Sequence, residues 1–306
     1  MDLGQVEAFV QVAHHRSFSK AADSLFLTQP SVTARIQSLE RDLGESLFER
    51  NGRGVRLTEV GQTFLPFARR SLKALQEGRD AIEGLRNLDI GTLKLGSALT
   101  VSTYVLPKIL KHYCSTYPGV EVSVHTGRSE QVLQMVLSDD VHCALERTVH
   151  HAEIVTVPLY EDDLVLVAAH SHRFAHTRTA TIEDVGREPL ILFDKGSSYN
   201  ALIQGVFRQH GIVPKTLMDM DTIEATKKMV EEGLGIALLP KVSTAREFEL
   251  GSLVPVTISN ASLPRRQISL IFRKNRKHPR AVQAFFALLA EQYNTTIPDN
   301  TLTGAA

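Results

Sequence analysis

Two unlike parts are predicted for this chain: an all-α N-terminal unit running into one long helix, then an α/β unit. Three observations carry that expectation. Pro30 separates two short helical patterns near the start. From Val60 to Leu88 a seam of apolar and small residues repeats in alternating steps of four and three. Beyond about residue 91 short apolar runs alternate with helical stretches, which argues for α/β layers with mainly parallel strands.

Taken in order, Leu3, Val6, Phe9, Val10 and Ala13 recur at helical spacing, and Ser17 or Ser19 is placed to cap a second helix through Ala21, Ala22 and Leu25. After a break at Leu27 and Thr28, a third helix is expected from Gln29 to about Leu43, ended by Gly44. Pro30 falls in its first turn, where a missing N–H costs little. Residues 47–57, "LFERNGRGVRL", read as a hairpin around Asn51-Gly52. Thr58 then starts the long helix. Its seam of Val60, Phe64, Phe67, Ser71, Ala74, Gly78, Ala81, Leu85 and Leu88 is that of a paired helix, small in its middle. A lone buried helix is the alternative, yet the flanking stripe at Leu65, Leu72, Leu75 and Ile82 adds more apolar surface than one exposed helix carries.

The α/β part reads as "TLKLGSA", "VEVSVHTG", "HCALE", "DLVLVAAH", "PLILF", "TLMDM", "GIALLP" and "ISLIFRK". Helices are expected through Leu110, from Ser129, near 199–210, up to Glu232 and at 279–293. The polar ending "TTIPDNTLTGAA" is expected to fray.

The 306 residues, 43% of them hydrophobic, suffice for two or three domains with proper cores. A formal net charge of zero gives no global attraction to nucleic acid or membrane. Cys114 and Cys143 stand at no metal-like spacing and suggest a reducing compartment. Asp2 and Glu7 within a helical pattern exclude a signal peptide, and "LVLVAA" is too short to span a bilayer. These features predict a cytoplasmic protein with no membrane role.

A helix, a tight break and a second helix buried on Val32, Ile36, Leu39 and Leu43 make a helix-turn-helix. Its exposed side starts with Gln29, Ser31, Thr33 and Arg35, whose amide, hydroxyl and guanidinium groups suit base edges and phosphates. Arg50, Arg53 and Arg56 in the hairpin have no acidic residue between them and form a wing able to lie along a phosphate backbone. An ordinary helical hairpin with a solvated face is the competing account; the local charge favours DNA.

The stretch "SFSKAADSLFLTQPSVTARIQSLERDLGESLFERNGRGVRLTEVGQTFLPFAR" resembles the winged helix-turn-helix of LysR-type transcriptional regulators. "VLPKILKHYCSTYPGVEVSVHTG" and "MVEEGLGIALLP" resemble that family's effector-binding domain. The resemblance implies a winged helix-turn-helix over 1–58, a dimerising linker helix over 59–88 and a two-lobed, type II periplasmic-binding-protein-like domain over 89–306. Lobe I would take about 91–162 and 266–295, and lobe II about 163–265. It implies double-stranded DNA and a small effector as partners, and self-association as a dimer or tetramer. Thr28, Gln29, Ser31, Thr33, Arg35, Arg50 and Arg53 are the candidate DNA contacts. The recognition helix departs from the family at "SVTARI", where many relatives have Ser, Arg and Gln in the middle three places.

Enzyme-like signals fail. "GLGIAL" has two of three dinucleotide-fingerprint glycines but reads as a buried strand. "DKGSSYN" lacks the glycines of a nucleophile elbow. His142, Cys143, His150 and His151 offer no four-ligand spacing. No catalytic residue, metal or cofactor is therefore expected, and a transport-type binding protein is disfavoured by the N-terminal unit.

Three strand-to-helix junctions carry hydroxyls or a capping acid: 97–103, 196–199 and 221–224. Helix starts with free N–H groups bind anions, and such junctions face the cleft of a two-lobed α/β fold. Ser97, Thr100, Ser102, Ser197, Ser198 and Thr222 are thus the candidate effector contacts, with Arg147 or Arg128 supplying charge. Helix capping is the plainer use of these groups, and it suffices for the capping box at Asp221–Glu224.

Overall fold

The computed structural model describes residues 1–51, 54–86, 91–193 and 196–298. Arg53 and Leu88 fall outside them, as do the side chains of Arg50, Ala81 and Leu85. The chain divides into two compact units, 1–87 and 88–306.

In the first unit, α1 (Leu3–His15) starts at a reciprocal cap: the Asp2 carboxylate accepts from the Gln5 N–H, and the Gln5 side chain accepts from the Asp2 N–H. Ser17, rather than Ser19, caps α2 (Phe18–Ser24). Thr28 caps α3 (Gln29–Leu43), which ends at left-handed Gly44. The buried stripe of α1 is Val6, Ala8, Phe9 and Val12, so the expected Leu3 is exposed. That stripe packs on Ala21, Ala22, Val32, Ile36 and Leu39. Strands β1 (Phe48–Asn51) and β2 (Gly54–Leu57) pair antiparallel as the wing. Helix α4 (Glu59–Arg86) follows; Gly61 lets it approach, since a Cβ there would lie 2.2 Å from the Leu47 carbonyl oxygen. Phe64, Leu65, Ala68 and Leu72 of α4 close the core, with Phe64 and Phe9 ring centroids 5.3 Å apart.

The second unit is α/β, as the alternating pattern predicts, and two-lobed, as the family resemblance implies. Strands β3 (Gly91–Ala98), β4 (Val120–Gly127) and β5 (Cys143–Arg147) pair in parallel, with α5 (Leu99–Tyr104), α6 (Leu106–Thr116) and α7 (Ser129–Leu137) between them. The single helix expected through Leu110 is split at Val105, and Pro107 falls in the first turn of its second piece. Strand β6 (Ile154–Ala169) leaves this lobe and continues into the next.

The second lobe holds α8 (Arg173–Thr177), β7 (Thr179–Ala180), α9 (Ile182–Arg187), β8 (Leu190–Phe193), α10 (Ser198–Gln209) and β9 (Thr216–Met220). It continues with α11 (Ile223–Glu231), β10 (Ala237–Pro240), α12 (Ala245–Leu250) and β11 (Leu253–Ile258). Strand β12 (Arg265–Arg273) returns to the first lobe, where α13 (Arg280–Gln292) packs. Each lobe has its own core, around Leu93, Leu145 and Phe285 in the first and Leu190, Phe207 and Leu238 in the second.

The expectation of mainly parallel strands needs correction. β12 runs antiparallel to both β5 and β6, while β10 and β11 run antiparallel to β6. Strands that cross between lobes and come back must reverse direction, so each lobe closes with antiparallel pairs around a parallel set.

Candidate nucleic-acid face and ligand cavity

On the first unit, Thr28 Oγ1 accepts from the Ser31 N–H at 3.4 Å and lies 2.8 Å from the Ser31 hydroxyl. Both groups are exposed at the start of α3, together with Gln29, whose Oε1 accepts from the Ser19 hydroxyl at 3.4 Å. Thr33 is half-buried. Arg35 is not held on the open face: it is half-buried, and its guanidinium donates to the Gly4 carbonyl at 3.3 Å. The open stripe of α3 is instead Pro30, Ala34, Gln37 and Arg41. The sequence reading passed over Gln37 and Arg41, although i, i+4 spacing from Thr33 and Gln37 marks that side. In the wing, exposed Arg56 stands opposite Glu49 in the strand register.

On the second unit a cavity of about 860 Å³ lies between the lobes. The β3–α5, β4–α7, β8–α10 and β9–α11 junctions all line it. Strands point their C-terminal ends here, so the helices that follow begin here and aim their N–H groups inward. Thr100, Ser197, Ser198, Thr222, Arg128 and Arg147 are on its wall. Ser197 and Thr222 also cap their helices, accepting from the Asn200 and Ala225 N–H groups at 3.2 Å. Ser97 and Ser102 are corrections to the expected set. Ser97 is fully buried and donates to the Ala98 carbonyl, and Ser102 donates to the Leu99 carbonyl, each at 3.0 Å. Neither belongs to the cavity wall. Ser102 faces backwards along its own short helix, a local bond open to any helical serine.

Sequence reasoning missed the floor. Glu146 is fully buried; its Oε1 accepts from the Ser129 hydroxyl, the Arg147 N–H and the Arg266 guanidinium, all at 2.8 Å. Arg266 stacks over the Tyr199 ring at 4.4 Å, and the Tyr199 hydroxyl donates to Asp162. Burial pushes the Asp162 carboxyl above its usual range, outweighing the Tyr199 hydrogen bond and the Arg266 charge. Isolated charges at the edges of apolar strands, as in "HCALER" and "RRQISLIF", were the available signal. A second group closes the cavity elsewhere. Tyr104 of α5 donates to Glu224 of α11, and buried Lys227 bonds Glu224 at 2.9 Å and Glu247 at 2.8 Å.

Among the described residues, no group of three or more His, Cys, Asp or Glu is placed to hold a metal ion. No described helix is long and apolar enough to cross a membrane. The arrangement can hold a small polar molecule by hydrogen bonds and charge.

Comparison with known proteins gives a consistent picture. Residues 3–62 match the family described as bacterial regulatory helix-turn-helix protein, lysR family. Residues 86–294 match the LysR substrate binding domain. The chain is 33% identical over 304 residues to "Probable RuBisCO transcriptional regulator" of Cyanophora paradoxa, covering 97% of this chain and 94% of that protein. It is 32% identical to the HTH-type transcriptional regulator GltR of Bacillus subtilis, covering 98% and 99%. Among solved structures, full-length CbnR complexed with its target DNA matches with a TM-score of 0.71 at 26% identity, covering 95% of this chain and 99% of CbnR.

Proposed function

The chain belongs to the LysR family of bacterial transcriptional regulators, and on that premise we propose that an organic carboxylate bound between its lobes controls its action on DNA. It is a DNA-binding regulator with an effector-binding domain, not an enzyme. The observation that carries the effector reading is the cavity wall, which brings Thr100, Ser198, the start of α10 and Arg147 around one space. Arg147 sits 3.8 Å from exposed Glu130, a contact loose enough to be exchanged for a ligand carboxylate. The anion would favour one placement of the lobes, and it biases DNA binding only by binding that placement more tightly.

Titration calorimetry of the full-length protein tests this. Arg147→Ala should weaken carboxylate binding by about 1.5–3 kcal/mol, and Thr100→Val by about 0.5–1.5 kcal/mol, with effector-free DNA binding nearly intact. Unchanged affinity in both variants would put the ligand elsewhere and return the hydroxyls to capping.

At the DNA, Gln29 and Ser31 are assigned to base edges, with Thr28 and Thr33 beside them, and Arg50 and Arg53 to phosphates. Arg35 joins the base contacts by releasing the Gly4 carbonyl. Gln29→Ala should cost about 1–3 kcal/mol at the cognate site and relax one position. Arg53→Ala should weaken all sequences alike and reduce the salt slope by about 1. Equal losses on specific and random DNA for both variants would refute this division of labour. The exposed α4 seam is assigned to dimerisation, with a tetramer as the larger assembly, and the protein is placed in the cytoplasm.

A further inference from the structure

The cavity is electrically polar, because two groups of charged side chains meet in it. Among the described residues the first group is richer in guanidinium than in carboxylate groups: Arg128, Arg147 and Arg266 with Glu130 and Glu146. Helix α10 starts there, 12 residues long and with no acidic residue in its first turn, so its dipole adds positive field. Arg266 is only 8% exposed, and its Nε has no hydrogen-bond partner among the described residues.

The second group has the opposite sign. Asp221 and Glu224 line the cavity at the start of α11, with Lys227 and Glu247 behind them: three carboxylates against one ammonium. Burial works against ionised Glu224, yet hydrogen bonds from Tyr104 and Lys227 hold its carboxyl below the usual range. Its side chain remains 56% exposed, so it can still accept from a ligand.

From this polarity we infer that the effector is a monocarboxylate carrying a hydrogen-bond donor, hydroxyl or ammonium, at its far end, and that Glu224 excludes dicarboxylates. The inference rests on the reading of the cleft as a carboxylate site. The carboxylate goes to Arg147 and the start of α10. A donor then reaches Glu224 in a charge-assisted bond. A second carboxylate placed there meets two like charges instead.

The test titrates the full-length protein with two matched sets of probes. One is hexanoate, its omega-hydroxy and omega-amino derivatives, and adipate; the other is benzoate, its para-hydroxy and para-aminomethyl derivatives, and terephthalate. In the set that binds better, a donor-bearing acid should bind about tenfold more tightly than the parent acid, and the diacid more weakly than the parent. Glu224→Gln and, separately, Asp221→Asn should narrow the gap between parent and diacid; the second variant leaves the Tyr104 and Lys227 bonds in place. A diacid that matches or exceeds its parent, or a ranking unchanged in both variants, overturns the inference alone, provided parent acids bind through Arg147. If no member of either set binds, or if Arg147→Ala leaves binding unchanged, the carboxylate reading falls and takes this inference with it.

Discussion

Arg266→Ala should destabilise the effector-binding domain by about 3–5 kcal/mol, the range for breaking a buried ion pair from one side. Glu146 has no exposure and Arg266 has 8%, so water replaces the lost partner only by entering from the cavity. The Arg266 guanidinium supplies one of the three donors on Glu146 Oε1, and Oε2 has no partner among the described residues. Alanine would leave that carboxylate buried with only two neutral donors, and it would uncover the face of Tyr199. Arg266→Lys keeps the charge but not the planar stacking surface, so it should lose less than alanine and more than nothing. Pairing Glu146→Gln with Arg266→Met removes both charges and should recover at least half of the loss, because a filled apolar contact avoids desolvating either ion. Urea unfolding followed by a probe in the second unit measures this; a shifted midpoint at unchanged slope is the signature of a stability change. A loss below about 1 kcal/mol for Arg266→Ala would mean that water reaches the floor and that the pair behaves as a surface contact.

That floor also marks the limit of what the sequence disclosed. Local patterns found the helices of the first unit, because each carries its own start signal, but they set its buried faces too wide: Leu3 and Leu43, both expected inside, are 52% and 37% exposed. Thr28 with Pro30 opens α3, Gly44 closes it, and Val32, Ile36 and Leu39 define its buried side within one span of 15 residues. Arg35 shows where such reasoning stops: helical spacing gives its direction from the axis, not the Gly4 carbonyl waiting on another helix. In the second unit the helix starts were legible, since hydroxyls and acids mark them locally. The partners of Glu146 were not, because they lie at Ser129 and Arg266, up to 120 positions away. Strand direction was hidden for the same reason. A near-continuous apolar run such as "ISLIFRK", buried from Ile268 to Phe272, reports burial on both faces and not the direction of its neighbours.

Phe67→Glu should convert a dimer into monomers and remove most affinity for an operator with two half-sites. Helix α4 has two apolar sides. Phe64, Leu65, Ala68 and Leu72 are spent on the first unit's own core. Val60, Phe67 and Leu75 remain 40%, 55% and 49% exposed, with exposed Ser71, Ala74 and Gly78 on the seam. Val60 and Phe67 lie one heptad apart, Leu75 flanks them, and the small residues that follow Phe67 on the seam let a second helix approach closely. Within its own chain Phe67 contacts the Arg70 guanidinium at 4.6 Å rather than the core, so a substitution there leaves the fold intact. Glutamate would carry a charge into a dry seam, a burden that each copy of a symmetric dimer repeats. Two half-site contacts joined in one body gain roughly 10²–10⁴ in avidity, and a monomer forfeits that gain. Light scattering of residues 1–88 and of the full-length protein reads the assembly, circular dichroism checks the helices, and a mobility shift on DNA from upstream of its own gene reads the affinity. A Phe67→Glu variant that stays dimeric, or a wild-type fragment that stays monomeric at high concentration, would take α4 out of the dimer interface. The half-site spacing would then be set by the effector-binding domains, because nothing else among the described residues of the first unit presents an apolar seam of that length.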